Sequence, residues 1–258
     1  MRKTIVIYIL LISVFATCFA QSELFLKKEF IWKGDTLKYR ILFPENYNRN
    51  KVYPMLVFLH GSGERGNDNE KQLVHGSSIF LNSKNRTEFP AIVIFPQCPS
   101  NDSWVHFKDK KSNTFEFSDI KGPTKPLALT KTLIDFYKKT EAVDTKKIYI
   151  SGLSLGGMGT YDLICRYPRL FAAAIPICGA VNEKRLMKVR KMPIRIYHGD
   201  NDESVSVEYA RNAYIELKAN GSKNVQYFEF PGVGHNSWDR TFAEPDFLKW
   251  LFNQHKGL

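Results

Sequence analysis

Cysteine is scarce in this sequence, which limits the disulfide bonds that the chain can form. Four cysteines occur in 258 residues, and three of them, Cys98, Cys165 and Cys178, lie beyond the N-terminal segment. Because three is an odd number, at least one thiol stays unpaired. A bond between Cys165 and Cys178 is unfavourable, since one lies late in a predicted helix and the other at the far end of the next strand, which rises ~3.3 Å per residue. We therefore expect buried, unreactive thiols.

The sequence also lacks low-complexity tracts, internal repeats and any domain linker. Its length is sufficient to bury one full hydrophobic core, and we predict a single domain over residues 21–258. His75, His106 and His255 have no cysteine or acidic residues at metal-ligand spacing. No nucleic-acid-binding motif is present either. We therefore expect no metal, no cofactor and no nucleic-acid partner.

Long apolar runs are absent except at the N-terminus. Residues 4–15 are almost continuously apolar, follow the basic pair Arg2 and Lys3, and precede small residues that end at Ala20. This pattern is typical of a secretory signal peptide over residues 1–20, and the run is too short for a spanning helix. We predict a secreted or periplasmic chain, cleaved near Ala20, with no stable membrane span. Lipid attachment at Cys18 is the alternative, although the residues before it fit a lipoprotein signal poorly.

Basic residues outnumber acidic ones. There are 37 Lys and Arg against 26 Asp and Glu, a formal charge of +11 that falls to +9 once Arg2 and Lys3 are removed. The basic residues are scattered, and residues 108–111 form the densest run. A solvated basic face is the simplest interpretation, with acidic polymers or anionic lipid surfaces as less favoured partners.

Short apolar runs alternate with helical patterns along the rest of the chain. This alternation predicts an α/β fold with a mostly parallel sheet and helices on both faces. The connection over residues 179–192 is short and leaves no substantial lid, so we predict an open active site. The predicted strands are residues 25–32, 36–43, 55–60, 91–95, 147–150, 171–177, 194–198 and 225–230, and the predicted helices are 124–137, 154–167, 207–219 and a last one from about residue 245.

The strongest chemical signal is the G-x-S-x-G motif around Ser154. An apolar strand precedes it and a helix follows, while Gly152 and Gly156 permit the sharp turn that lifts a serine hydroxyl clear of the sheet edge. The dipole of the following helix favours negative charge at this position. Ser154 is therefore the predicted nucleophile.

Two acidic residues and a histidine follow later predicted strands, at the same edge as Ser154. Asp200 and Asp202 come after residues 194–198, and His235 comes after residues 225–230. The chain order Ser, Asp, His is that of α/β-hydrolases. Because a serine hydroxyl is a poor nucleophile at neutral pH, we expect His235 to take its proton while one of the two acids orients the imidazole.

Three segments carry a resemblance to a known family. They are PMLVFLHGSGERG at residues 54–66, PQCP at 96–99 and GHNSWD at 234–239. They resemble the lidless phospholipase/carboxylesterase group of α/β-hydrolases. That group includes secreted feruloyl and acetyl esterases, polyhydroxybutyrate depolymerase-like proteins and chains described as peptidases. The resemblance covers nearly the whole mature chain and implies a sheet of about eight strands.

The resemblance also implies roles for particular residues. The orienting acid is Asp202 rather than Asp200, because the group uses the second acid of H-G-x-x-D-x-x-V. The backbone N–H groups of Ser62 and Leu155 form the oxyanion hole, which lowers the barrier by about 3 kcal/mol. We further predict that Trp104 and Trp238, in loops expected at the catalytic edge, contact substrate, with core packing as the alternative.

Two features have simpler interpretations. Residues 61–66 also spell G-x-G-x-x-G, but a dinucleotide site needs a helix at once and an acid ending the next strand, and neither is present. His60 and His198 each end a strand before glycine, where a hydrogen bond that braces the loop is the expected role.

The leading hypothesis is a secreted serine carboxylic ester hydrolase with an acyl-enzyme intermediate. A lidless site on an exported chain suits removal of short or aromatic acyl groups from an acylated polysaccharide. A serine peptidase of the same fold is the alternative, since the same triad cleaves amides. A non-catalytic binding module is less favoured, because no structural requirement places Ser, Asp and His at those three positions.

Overall fold

The computed structural model describes residues 23–118 and 120–257. The predicted signal peptide, with Cys18 and Ala20, lies outside the described residues. In the described part of the chain, no helix is both long and apolar enough to cross a membrane.

Ten strands and seven α-helices make up the described fold. The strands are β1 (Leu26–Trp32), β2 (Asp35–Leu42), β3 (Tyr53–Leu59), β4 (Ile92–Gln97), β5 (Phe107–Lys111), β6 (Thr114–Phe117), β7 (Val143–Leu153), β8 (Ala173–Ile177), β9 (Ile194–Gly199) and β10 (Val225–Phe230). The α-helices are α1 (Ser78–Leu81), α2 (Ser83–Glu88), α3 (Lys125–Thr140), α4 (Leu155–Arg166), α5 (Glu208–Ala219), α6 (Ser237–Phe242) and α7 (Phe247–Phe252). Short 3₁₀ helices occupy Ser62–Glu64, Lys71–Leu73 and Glu183–Val189.

Eight of the strands form one sheet, in the order β1-β2-β4-β3-β7-β8-β9-β10. The pairs β1/β2 and β2/β4 are antiparallel, and the other pairs are parallel. Each of the eight predicted strands is therefore present, and the predicted α/β-hydrolase fold is confirmed. The parallel strands point their carboxyl ends to one edge, where β7, β9 and β10 lead into the loops that contain Ser154, Asp202 and His235.

The core lies on both faces of this sheet, and β3 illustrates why. Met55 and Val57 face one apolar cluster, while Leu56 and Phe58 face the other. Successive side chains of a strand point to opposite faces, so a strand covered on both sides reads as a continuous apolar run. Helices complete both layers, with Leu133 of α3 on one face and Leu251 of α7 on the other.

The structure differs from the prediction in one functional element. Strands β5 and β6 form a separate two-stranded antiparallel hairpin. The sequence analysis identified a basic run in this region but predicted no strands there. The three cysteines of the described chain, Cys98, Cys165 and Cys178, are buried free thiols, as expected.

Candidate active site

Ser154 lies at a strained turn between β7 and α4. Its backbone has φ 52° and ψ −118°, a combination that L-residues rarely adopt. The turn is tight because its glycines touch backbone: a Cβ on Gly156 would collide with the Leu59 carbonyl, and one on Gly152 would lie 2.5 Å from the Gly156 oxygen. The Ser154 N–H donates to the Ile177 carbonyl at 2.9 Å, which ties the turn to β8.

A continuous chain of hydrogen bonds joins Ser154, His235 and Asp202. The Ser154 hydroxyl donates to His235 Nε2 at 2.8 Å, and His235 Nδ1–H donates to Asp202 Oδ2 at 2.8 Å. Only this tautomer gives the nucleophile an acceptor for its proton, and the carboxylate stabilises the imidazolium that then forms. The structure thus brings together the three predicted residues in the geometry of a catalytic triad.

Four N–H groups converge on the Asp202 carboxylate. Its side chain has no solvent exposure, and Oδ1 accepts from the backbone N–H groups of Ser204 and Val205, each at 2.9 Å. Oδ2 accepts from His235 and lies 3.1 Å from His198 Nε2. Burial alone would raise the pKa of Asp202, but the hydrogen bonds from His198, His235 and Val205 outweigh it and hold that pKa well below its usual range.

His198 holds Asp202 from the side opposite the triad histidine. Its Nε2 lies 2.9 Å from the Val205 carbonyl and 3.1 Å from Asp202 Oδ2, and both partners are acceptors. Nε2 therefore carries the proton. Nδ1 is buried and has no hydrogen-bond partner among the described residues. The sequence predicted only a loop-bracing role for His198, and its contact with the triad acid is an addition.

Asp200 has a different role from Asp202. It is exposed, and its Oδ1 accepts from the Gly232 N–H at 2.7 Å. This bond ties the loop after β9 to the loop that leads to His235. Asp200 therefore braces two loops, and the structure places Asp202 alone against the imidazole.

A cleft of about 600 Å³ opens at Ser154. The two residues predicted to form the oxyanion hole, Ser62 and Leu155, line it together with Ser154 and His235. Ser62 begins a 3₁₀ helix that follows β3, and Leu155 is the first residue of α4. No long helix opens after residues 61–66, so this glycine-rich run shapes the rim of the cleft and lacks the helix that a dinucleotide site requires.

Two bracing groups support the loop that contains Ser62. The Arg65 Nε–H donates to the Ser62 carbonyl at 3.1 Å, and its Nη1 donates to the Asp102 carbonyl at 3.1 Å. His60 Nδ1–H donates to the Gly61 carbonyl at 2.6 Å, while its Nε2 accepts from the Cys98 N–H. Burial lowers the pKa of His60 to about 4, so this ring stays neutral near pH 7. His60 has the bracing role that its position predicted.

The wall of the cleft comes from the β5/β6 hairpin rather than from residues 179–192. Phe107, Lys110 and Phe115 line it, and the Lys110 amine lies over the Phe115 ring, 5.5 Å from its centroid. Hydrogen bonds fix the hairpin: the Phe115 N–H donates to the Tyr209 hydroxyl at 2.6 Å. The Ser206 N–H donates to the Asn113 carbonyl at 3.2 Å. In the sequence, the signal that could have revealed this hairpin is the presence of aromatic residues on both sides of the basic run.

Trp104 is a core residue, which corrects the prediction that it contacts substrate in favour of the core packing given as the alternative. Its side chain is fully buried, and its indole N–H donates to the His60 carbonyl at 3.0 Å. Helix α4 covers it through Gly159, where a Cβ would lie 2.8 Å from Trp104 Cβ. Trp238 is half-buried and packs edge-on against the His235 ring, with centroids 5.5 Å apart. It lies beside the triad but is not part of the wall of this cleft.

Cys178 also lies beside the triad, a position that the sequence did not predict. Its Sγ lies within 4.8 Å of ligand-type atoms of Asp202 and His235, a set of donors that a metal can use. The imidazole and carboxylate are already joined at 2.8 Å, which is the pairing that proton transfer needs. Burial, and next the charge of Asp202, raise the pKa of the Cys178 thiol. It is therefore a neutral packing group near pH 7, and thiolate is the form that binds metals.

Comparisons with known proteins agree with this geometry. A family model described as phospholipase/carboxylesterase matches residues 46–249. The chain is 37% identical to a bifunctional acetylxylan esterase/xylanase of Neocallimastix patriciarum over 91 residues, 35% of this chain and 13% of that protein. It is 23% identical over 252 residues to the probable carboxylesterase SOBER1-like of Arabidopsis thaliana, covering 92% of this chain and 89% of that one.

A solved thermostable esterase is also similar. It superposes with a TM-score of 0.83 at 34% identity, and the match covers 92% of this chain but 64% of the esterase chain. The chain thus spans less than two thirds of this structure and a small part of the bifunctional enzyme. The family match itself includes Ser154, Asp202 and His235. The chain therefore belongs to the phospholipase/carboxylesterase family of α/β-hydrolases.

Proposed function

We propose that this protein is a secreted serine carboxylic ester hydrolase that removes short or aromatic acyl groups from a polysaccharide-type carrier. The observation that carries the proposal is the continuous hydrogen-bonded chain from Ser154 through His235 to Asp202, which opens on a solvent-accessible cleft. Family membership supports ester chemistry, and the acetylxylan esterase named among its relatives supports an acylated polymer.

The reaction follows from the positions of these groups. His235 Nε2 takes the Ser154 proton as Oγ attacks the ester carbonyl, and the oxyanion forms beside the N–H groups of Ser62 and Leu155. The protonated His235 then donates to the leaving alcohol, which leaves an acyl group on Ser154. Water, activated by the same imidazole, releases the acid and restores the serine. Asp202 keeps Nδ1 protonated throughout.

The lining of the cleft supports the proposed acyl groups. Phe107, Phe115 and Met158 give it an apolar side, and Ser103 and Ser112 give it a polar one. Flat aromatic faces suit a phenolic ring or a short acyl chain, because aromatic pairs gain about 0.5–1.5 kcal/mol beyond area burial. Export, which the N-terminal signal pattern predicts, would place the enzyme where acylated polymers occur.

A substrate panel tests the proposal. Purified protein is assayed against acetyl, butyryl, long-chain and feruloyl esters, acetylated xylan and peptide amides, with Ser154→Ala as the matched control. We expect kcat/KM to be highest for short and feruloyl esters, and a fluorophosphonate probe to label wild type but not Ser154→Ala. Faster cleavage of amides, or labelling of another serine, would contradict ester hydrolysis at this site.

A further inference from the structure

A basic cavity adjoins the catalytic cleft, and the β5/β6 hairpin contributes residues to both. It has a volume of about 480 Å³, and its lining includes Lys121, Arg166, Arg185 and Lys188. No Asp or Glu of the described residues lines it. Tyr167 and Phe117 contribute aromatic faces to the same lining.

One buried carboxylate holds two of these cations side by side. Asp162 Oδ2 accepts from Arg166 Nε at 2.5 Å, and its Oδ1 accepts from Arg185 Nη1 at 2.5 Å. The Asp162 side chain is only 6% exposed, so a buried carboxylate holds the two guanidinium groups in place. One carboxylate neutralises one of the two guanidinium charges. The other guanidinium therefore leaves an uncompensated charge at the cavity, where planar N–H donors match an oxoanion.

A second basic cavity adjoins the first and shares Lys188 with it. Its volume is about 600 Å³, and Lys146, Arg169, Lys191 and Lys256 also line it. Within the described ranges, 23–118 and 120–257, no acidic side chain lines this cavity either. Burial, followed by the nearby charge of Lys138, lowers the pKa of Lys256. A basic group whose charged form is disfavoured in this way gains from a bound anion.

The first of the two cavities adjoins the catalytic cleft along β6, and the second is reached from it through Lys188. Phe115 lines the catalytic cleft, and Phe117, two residues along β6, lines the first basic cavity. Two residues of a strand span about 7 Å. The linings of the catalytic cleft and of the first cavity therefore come within about 7 Å of each other along β6. The two cavities together are called the basic track below.

We propose that the basic track binds an acidic polysaccharide through the carboxylates of its uronic acid units. Repeated carboxylates along one chain match a series of cations that continues through two cavities, and the aromatic faces of Phe117 and Tyr167 suit sugar rings. The concave form favours a polymer strand over a membrane. The exposed side chain of Ile120 in the first cavity is the feature that a lipid surface would use instead. The proposal rests on the proposed function only in identifying the bound polymer as the carrier of the ester.

Binding is measured without turnover, so the result is independent of esterase activity. Ser154→Ala protein is titrated with unesterified polygalacturonate and with neutral xylan, at low and at physiological ionic strength. The test variant adds Arg169→Gln, Lys188→Gln and Lys191→Gln, which are exposed and make no ion pair among the described residues. The control variant instead adds three substitutions at exposed lysines that line none of these cavities and remove the same charge: Lys28→Gln, Lys51→Gln and Lys84→Gln.

We expect polygalacturonate to bind more tightly than xylan, with affinity that falls as salt rises, because both follow from ionic contacts. The test variant should lose about tenfold in affinity, at roughly twofold or more for each contact, and the control variant less than about twofold. Equal losses in the two variants would show attraction by net charge alone and overturn the proposal. So would equal binding of xylan, or binding to phosphatidylserine vesicles that exceeds binding to polygalacturonate.

Esterase activity separates failure of this proposal from failure of the proposed function. With Ser154 restored, both variants should hydrolyse a small neutral ester at the wild-type rate, because the replaced residues lie outside the catalytic cleft. On an esterified polyuronate, the test variant alone should show a raised KM with little change in kcat. A protein that binds polyuronate but cleaves no ester would refute the proposed function and leave the basic track in place.

Discussion

Replacement of Asp202 by Asn tests the central interaction of the site. The carboxylate accepts from four N–H groups: Ser204 and Val205 on one oxygen, and His235 and His198 on the other. An amide has one oxygen and one NH₂ group. If its oxygen keeps the two backbone donors, the NH₂ faces His235 Nδ1. That nitrogen must then become an acceptor, so the proton moves to Nε2 and the imidazole can no longer take a proton from Ser154.

The expected loss in kcat is about 10⁴-fold near pH 7, the size of effect caused by the wrong tautomer. Asp200→Asn is the matched control. Asp200 is exposed and accepts only from the Gly232 N–H among the described residues, and the amide oxygen of Asn can keep that bond. We expect a loss below about tenfold. Steady-state kinetics on a short-chain ester measure both, and a ranking in which Asp200→Asn is the more damaging would refute the assignment.

The pH dependence of the free energy of unfolding is a second test of the role of Asp202. Hydrogen bonds keep the folded-state pKa of Asp202 far below the unfolded value of about 3.9. Its contribution to stability is therefore present above about pH 4 and is lost as pH falls through the folded pKa. Urea unfolding should show that the stability gap between wild type and Asp202→Asn narrows below about pH 4, and a gap that stays constant would contradict this.

Three further outcomes follow from the structure. Ser154→Gly should be as inactive as Ser154→Ala but more stable by about 1 kcal/mol in chemical unfolding, because glycine tolerates φ 52°; equal stabilities would contradict strain at this turn. Trp104→Phe should lower the free energy of unfolding by about 1–3 kcal/mol and leave KM unchanged, since it leaves the buried His60 carbonyl without its donor; a raised KM would restore a substrate role. Along a series of linear acyl esters, kcat/KM should fall beyond about eight carbons, whereas a tunnel burying each CH₂ would add ~0.8 kcal/mol and raise it; a steady rise to sixteen carbons would indicate a hidden acyl pocket.

The position of the nucleophile could be predicted because the turn at Ser154 depends on close backbone packing. Gly156 packs against the Leu59 carbonyl, so a side chain at this position would not fit. The turn at Ser154 therefore requires a pattern of glycines that can be recognised in the sequence. The strands leave an equally direct signature, because burial on both faces of the sheet demands continuous apolar runs. The loops that contain Asp202 and His235 then follow from topology, since parallel strands deliver their carboxyl ends to one edge, whereas the choice of Asp202 over Asp200 came from the family resemblance.

Trp104 shows where this reasoning fails. Its position after β4 placed it near the catalytic edge, but whether its side chain points into the cleft or the core depends on the element that covers it. The covering element is α4, through Gly159. A glycine inside a helix costs about 1 kcal/mol relative to alanine, so Gly159 was a signal that another group packs closely there. The sequence does not state which group that is.

The β5/β6 hairpin was missed for a related reason, and its consequence is functional. Its strands are short and largely exposed, so they lack the burial pattern that marks a strand of the main sheet. Its fold depends on contacts distant in sequence, the hydrogen bonds from Tyr209 and Ser206 in the segment that follows Asp202. The wall of the cleft is thus attached to the segment that positions the catalytic acid. Substitutions at Tyr209 should therefore change both substrate preference and turnover, whereas those at Phe115 should change preference alone.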